Sequence, residues 1–233
     1  MRERAHVWSR AIRLFHWLNV LCILLLVGIG LVIFNAKTLG VSVEGKVLLK
    51  TLHVIVGYVF AINLVVRLVI GIIGRGYEKL SYMLPFTPSF FSDLKAYNND
   101  KAKVYTGHNP LGRLMIAALM LCMILQMVTG LFLAGSDIYY PPFGQTFAKQ
   151  IAIDKNNLSS IKPYSKDNVD ESAYKELRQL RKPFITIHVY SFYALLLLIP
   201  LHIFGVIRAE RSQKSALVSA MITGDKYFPQ SKK

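Results

Sequence analysis

Four stretches of this 233-residue chain stay apolar long enough to cross a lipid hydrocarbon layer, running near Leu14 to Phe34, Leu48 to Ile73, Leu111 to Ala134 and Phe184 to Ile207. A layer of about 30 Å takes roughly 20 helical residues to span, and backbone in lipid must satisfy its own hydrogen bonds, which a helix does. The expected fold is therefore an all-α membrane protein: a four-transmembrane-helix bundle in one domain over residues 1–233, with a long, partly helical outer loop at residues 136–182 between helices three and four. Composition agrees, with 53% hydrophobic residues and a mean hydropathy of +0.39, more than an ordinary soluble domain carries. The first stretch follows an arginine-rich start, as a signal peptide would. Its apolar run is too long for that, and no A-x-A-like cleavage site follows, so it reads as a retained helix.

The net charge of +15 is scattered through the connections and forms no basic helix or stripe interleaved with aromatics. That pattern excludes nucleic-acid binding and points to membrane topology and anionic lipid headgroups. Residues 1–13, 74–113 and 208–233 hold sixteen Lys/Arg against eleven in 35–50 and 136–182. Under the positive-inside tendency this places both termini in the cytoplasm. Cys22 and Cys122 each lie inside an apolar stretch, outside any C-x-x-C or C-x-x-C-H pattern, which excludes an iron–sulfur site and covalently attached haem in this chain. No Rossmann fingerprint, phosphate loop or Ser/His/Asp constellation occurs, so no catalytic residue is assigned.

In the outer loop, Asp170 to Arg181 has acidic residues leading and arginines trailing, the polarity of a short capping helix. Tyr140-Pro141-Pro142-Phe143-Gly144 marks a turn at the loop's entry, and Pro183 suits the first turn of helix four.

The histidines carry the chemistry. His188 and His202 are fourteen residues apart on the fourth apolar stretch, so on one helix they share nearly one face and stand roughly 21 Å apart along its axis. In an up-down-up-down bundle His16, starting helix one, shares a depth with His202. His53, starting helix two, shares the other with His188. A single intramembrane histidine reads equally as a ligand or as a helix-to-helix hydrogen bonder. Two matched pairs at two depths favour two bis-histidine haems. With both axial positions filled such an iron moves electrons and does little else. Gly28, Gly57, Gly130 and Gly205 suit either a flat macrocycle or close helix packing. Arg13 and Arg67 are placed for haem propionates, with snorkelling to the interface as the rival for Arg67. His6 reads as a solvated tail residue, and His108 either lines a pocket beside the cytoplasmic haem or simply punctuates a helix start.

Arg13-Leu14-Phe15-His16-Trp17, Leu52-His53 with Arg67, Gly107-His108-Asn109-Pro110, and the His188/His202 pair together resemble the bacterial cytochrome b561 superfamily. Within it the likeness is greatest to the b-type cytochrome subunit of membrane-bound nickel–iron hydrogenases, whose end the tail Arg208 to Phe228 also resembles. The formate dehydrogenase gamma subunit shares the four-helix, four-histidine plan. The resemblance implies a bacterial inner-membrane location, haem b on His53 and His188 at the periplasmic level and on His16 and His202 at the cytoplasmic level, and propionates beside Arg13 and Arg67. It also implies a quinone pocket near His108 and Asn109. The outer loop is longer than is usual for hydrogenase cytochromes.

The leading expectation is an electron-transfer subunit between a periplasmic hydrogenase-like iron–sulfur partner and membrane quinone, with no primary substrate site of its own. The alternatives are a quinol-oxidising cytochrome b donating to a periplasmic c-type cytochrome, and a redox-silent membrane anchor.

Overall fold

The computed structural model describes residues 3–100 and 105–228; Arg2, Lys101, Lys103, Lys232 and Lys233, counted in the charge comparison, lie outside them. In chain order the elements are strand β1 (Glu3–His6), α1 (Arg10–Phe34), α2 (Val43–Ile73), α3 (Leu80–Met83), α4 (Phe90–Asn99), α5 (Pro110–Ile138), α6 (Gly144–Ile151), α7 (Glu171–Gln213), α8 (Leu217–Thr223) and strand β2 (Asp225–Phe228). The helices α1, α2, α5 and α7 contain the four expected apolar stretches and are long and apolar enough to cross a membrane. In α1 and α7 only 11% of the most apolar window is buried inside the chain. Leu24, Ile62, Ile72, Leu197 and Phe204 are all more exposed than not. Apolar surface on this scale needs lipid as its solvent, and the chain is a multi-pass membrane protein.

Local chemistry sets the helix starts. Ser9 Oγ accepts from Ile12 N, Ser42 Oγ from Gly45 N at 3.1 Å, and Asn109 Oδ1 from Gly112 N at 2.7 Å with Pro110 following as the first helical residue. Asp170 Oδ1 accepts from Ala173 N at 2.8 Å and opens α7. Each satisfies an amide that the first turn leaves without a partner.

Two compact units form from the described residues. Unit 1 draws on Met1–Asn19, Asn63–Met123 and Tyr193–Lys233, and unit 2 on Val20–Ile62 and Ile124–Phe192. Each long helix contributes one end to each unit.

Unit 2 contains the outer loop, folded over its own core. Phe147, Ala148, Ile151, Ala152, Ile161 and Leu177 are buried, packed by Phe132, Tyr139 and Tyr174. Phe132 stacks on Phe184 with ring centres 3.6 Å apart. Asn168, at φ +56°, accepts from Asp154 N at 2.6 Å and donates to the Asp154 and Asn157 carbonyls, so the loop's irregular backbone is tied at one point. Asp170 does start a helix, as its polarity suggests. That helix does not stop before Pro183, however, and α7 runs unbroken from Glu171 to Gln213 with Pro183 inside it. Proline removes one backbone donor from a helix interior. Buried Leu177 in the loop core and Arg181, which donates to Ser136 O and Asp137, fix the turns before it and hold the helix direction through it.

Unit 1 holds a feature that an all-helical expectation misses. The two chain ends pair as an antiparallel sheet, with Arg4 opposite Tyr227, Ala5 opposite Lys226 and His6 opposite Asp225. His6 is solvated as expected but sits in a strand and not in a free tail: its Nδ1 lies 3.0 Å from Asp225 Oδ1, and Arg4 donates to Asp225 Oδ2. These partners hold the Asp225 carboxyl below its usual range. Gly224, at φ +91°, makes the approach possible, because a Cβ there would sit 2.6 Å from the His6 ring and 2.7 Å from the Trp8 carbonyl oxygen. Its carbonyl accepts from both Val7 N and Trp8 N.

Candidate functional site

The four histidines divide between the units in the expected pairs: His53 and His188 in unit 2, His16 and His202 in unit 1. Among the described residues no group of three or more His, Cys, Asp or Glu side chains is placed to hold a metal ion.

In unit 2 the His53 and His188 ring centres are 6.4 Å apart, with the planes at 67°. With a metal–imidazole bond of about 2 Å on each side, that spacing leaves room for the two rings to share one metal. His188 Nδ1 is 2.8 Å from Thr129 Oγ1, while His53 Nδ1 is buried with no hydrogen-bond partner among the described residues. A Cβ on Gly30 would meet His53 Cε1 at 3.4 Å and one on Gly130 would meet His188 Cε1 at 3.5 Å. Each ring therefore lies against a glycine of another helix. At Gly57, one turn beyond His53, an added Cβ meets no atom within 4 Å; Gly28 is exposed.

An ion triad sets the register of the helices that carry this pair. Asp137, in the last turn of α5, accepts from Lys50 of α2 and from Arg181 of α7 at 2.8 Å. A carboxylate at a helix C-terminus opposes the macrodipole, and the two cations offset it. Lys50 is one turn before His53 and Arg181 two turns before His188.

In unit 1 His16 and His202 lie within Coulombic range of each other, and His16 Nδ1 is buried without a hydrogen-bond partner among the described residues. Arg13, the expected propionate partner one turn earlier, donates through Nη1 to Ile222 O, and its Nε is buried and unpartnered among the described residues. Trp17 donates to the adjacent Met221 O at 2.9 Å, so helix α1 is tied to α8. Arg67 is buried, 2% exposed: it donates to Glu78 O at 3.1 Å and to Met83 Sδ, with its guanidinium carbon over the ring of Phe15 at 5.9 Å. Arg113 donates to Leu84 O and Thr87 Oγ1. These two arginines bind the connection between α2 and α5 to the helices.

His108 packs on Trp8 with ring centres 4.7 Å apart. Loss of solvent pushes its pKa down to about 3, with Lys226, Arg67, His202 and Arg113 adding to the effect. The amine of Lys226, carried in by the terminal sheet, is buried against the carbonyls of Tyr105, Thr106 and Gly107 and is pushed down to about 8 by that burial. Asn109 spends its carbonyl oxygen on capping α5.

A family model described as prokaryotic cytochrome b561 matches residues 7–224, nearly the whole chain. The chain belongs to that family. It is a membrane b-type cytochrome that works in electron transfer, and haem b is its cofactor. Among its relatives are proteins named "Probable Ni/Fe-hydrogenase B-type cytochrome subunit". The one from Rhizobium leguminosarum bv. viciae is 24% identical over 97% of this chain and 90% of its own length. The one from Bradyrhizobium diazoefficiens is 23% identical over 97% and 87%, and that from Rhodobacter capsulatus 22% over 97% and 83%. No solved structure matches.

The reading of the sequence did not single out Thr129, Gln126, Asp137 or Lys226. For the first two a signal existed: they are polar, three residues apart and therefore on one face of an otherwise apolar span, where polar side chains bond across helices.

Proposed function

We propose that this cytochrome holds two haems b, on His53 and His188 in unit 2 and on His16 and His202 in unit 1. We further propose that it carries electrons between a periplasmic oxidoreductase and the membrane quinone pool. The observation that carries this is the His53/His188 ring spacing of 6.4 Å, a fit for one six-coordinate metal. Bound haem b supplies one-electron exchange between ferric and ferrous iron, with no vacant position for substrate. One ring nitrogen of each histidine would hold the group at its site, and the apolar faces of the spans exclude water. At the cytoplasmic level Arg13 would hold a propionate through its unpartnered Nε, with Arg67 as the second cation.

The relatives' names support a nickel–iron hydrogenase as the partner; our reading puts the contact at its iron–sulfur subunit, on the periplasmic side of a bacterial inner membrane. With both termini cytoplasmic, as the Lys/Arg distribution favours, the ordered loop of unit 2 faces that partner. Quinone exchanges at unit 1 beside His108 and Asn109, taking two electrons from the chain and two protons from the cytoplasm to become quinol. His108 remains neutral there and offers hydrogen bonds, while Asn109 has its amide nitrogen left to donate.

Pyridine haemochrome quantitation on the detergent-purified chain tests this: about two haems b per chain are expected. His53→Ala and His188→Ala should each remove one haem, the same one, and His16→Ala or His202→Ala the other. No haem in folded protein, or any one of these variants retaining both, overturns the ligand pairing. Copurification of a hydrogenase, with hydrogen-dependent quinone reduction that the His53 variant abolishes, tests the partner.

A further inference from the structure

Helix α5 grips the ligand turn of α7 at two points. Gln126 Nε2 donates to the His188 carbonyl at 2.7 Å and to Ser191 Oγ at 3.0 Å, and Ser191 Oγ in turn donates to Ile187 O. Three residues on, Thr129 is 3% exposed and its hydroxyl donates to Leu125 O at 2.6 Å. A hydroxyl has one hydrogen. The hydroxyl's shortest contact is to the Leu125 carbonyl, and with its hydrogen spent there we assign the 2.8 Å contact as His188 Nδ1–H donating to Thr129 Oγ1. His188 is then the Nδ1–H tautomer with its lone pair on Nε2. His53 has nothing equivalent, since its Nδ1 is without a hydrogen-bond partner among the described residues.

We propose that Thr129 is a positioning residue for the unit 2 haem: it fixes the tautomer and ring orientation of His188 and makes His188 the stronger donor of an unequal axial pair. An imidazole that donates its second N–H becomes a more basic ligand, and a more basic ligand favours ferric over ferrous iron. The hydroxyl would therefore lower the midpoint potential of this haem. This rests on the ligand pairing proposed above.

The experiment is a redox titration of the full-length haem-loaded chain, followed optically and by low-spin EPR, comparing wild type with Thr129→Val and Thr129→Ser. Valine keeps the shape and removes the acceptor, and serine restores the acceptor. The expected result is that Thr129→Val raises one of the two midpoint potentials and moves the EPR signal of that haem alone, while Thr129→Ser keeps the wild-type values. Loss of one haem in Thr129→Val but not in Thr129→Ser also supports the proposal, since the hydroxyl then seats the ligand. Unchanged potentials and spectra in Thr129→Val, or equal changes in the two variants, overturn it. Failure of the pairing itself is distinguishable: His188→Ala would then retain both haems, which sinks the pairing and this inference together.

Discussion

Replacing Asp137 with asparagine should loosen unit 2 from its outer end. The change keeps the side chain's size and removes its charge, leaving Lys50 and Arg181 facing each other with side chains only 21% and 15% exposed. Removing one partner of a fully buried ion pair costs about 3–5 kcal/mol, because the remaining charge is stranded. The triad is mostly buried, not wholly so, and solvent screening brings the expected cost to ~2 kcal/mol. At 1.4 kcal/mol per tenfold this is roughly a 30-fold rise in the population of the opened state. Hydrogen exchange on the full-length chain reads it directly in the amides of residues 139–170, which lie over the triad. Because Lys50 is one turn from His53 and Arg181 two turns from His188, the same variant should also lower haem occupancy at one site only. Replacing the triad together with Met, Leu and Met should recover most of the protection, since apolar residues of similar volume strand no charge. Exchange accelerated less than about threefold in Asp137→Asn would show that the triad does not hold the register of these helices.

Three further outcomes are expected. Gly224→Ala places a Cβ against the Trp8 carbonyl in a left-handed conformation that costs an ordinary residue about 1–2 kcal/mol before any clash; protection of the amides in residues 4–8 and 225–227 should fall, and unchanged protection refutes the strain. Gly30→Leu crowds the His53 ring, so one haem should be lost or shifted in its spectrum and the other kept; two normal haems would show that Gly30 does not border the site. For pH, His108 has a folded pKa near 3 against 6.5 when free. The unfolded chain therefore takes up more protons throughout that window, and its contribution to stability, complete above 6.5, is lost as pH falls. An acid transition that His108→Gln leaves in place would refute this role.

How much was legible varied with the kind of interaction. Span positions are a one-dimensional property: twenty apolar residues have one stable state in lipid, and α1, α2, α5 and α7 contain the stretches expected of them. Pro183 misled because a proline's effect depends on what anchors the turns around it, here Leu177 and Arg181, and neither contact is local in sequence. The terminal sheet was illegible for the same reason. Four residues at each end of the chain carry no alternation strong enough to announce a strand, and only pairing across 219 positions between His6 and Asp225 makes one.

By itself the sequence determined the solvent and the number of spans, since both follow from hydropathy along single elements. The tertiary structure alone decided that the Thr129 hydroxyl meets His188 Nδ1, because a contact between two helices is encoded in neither of them. It also decided that Arg67 and Arg113 hold backbone carbonyls of the connection between α2 and α5, and that the chain's ends close on each other around Gly224. These are contacts between distant residues, with distances and directions that no spacing along the chain encodes.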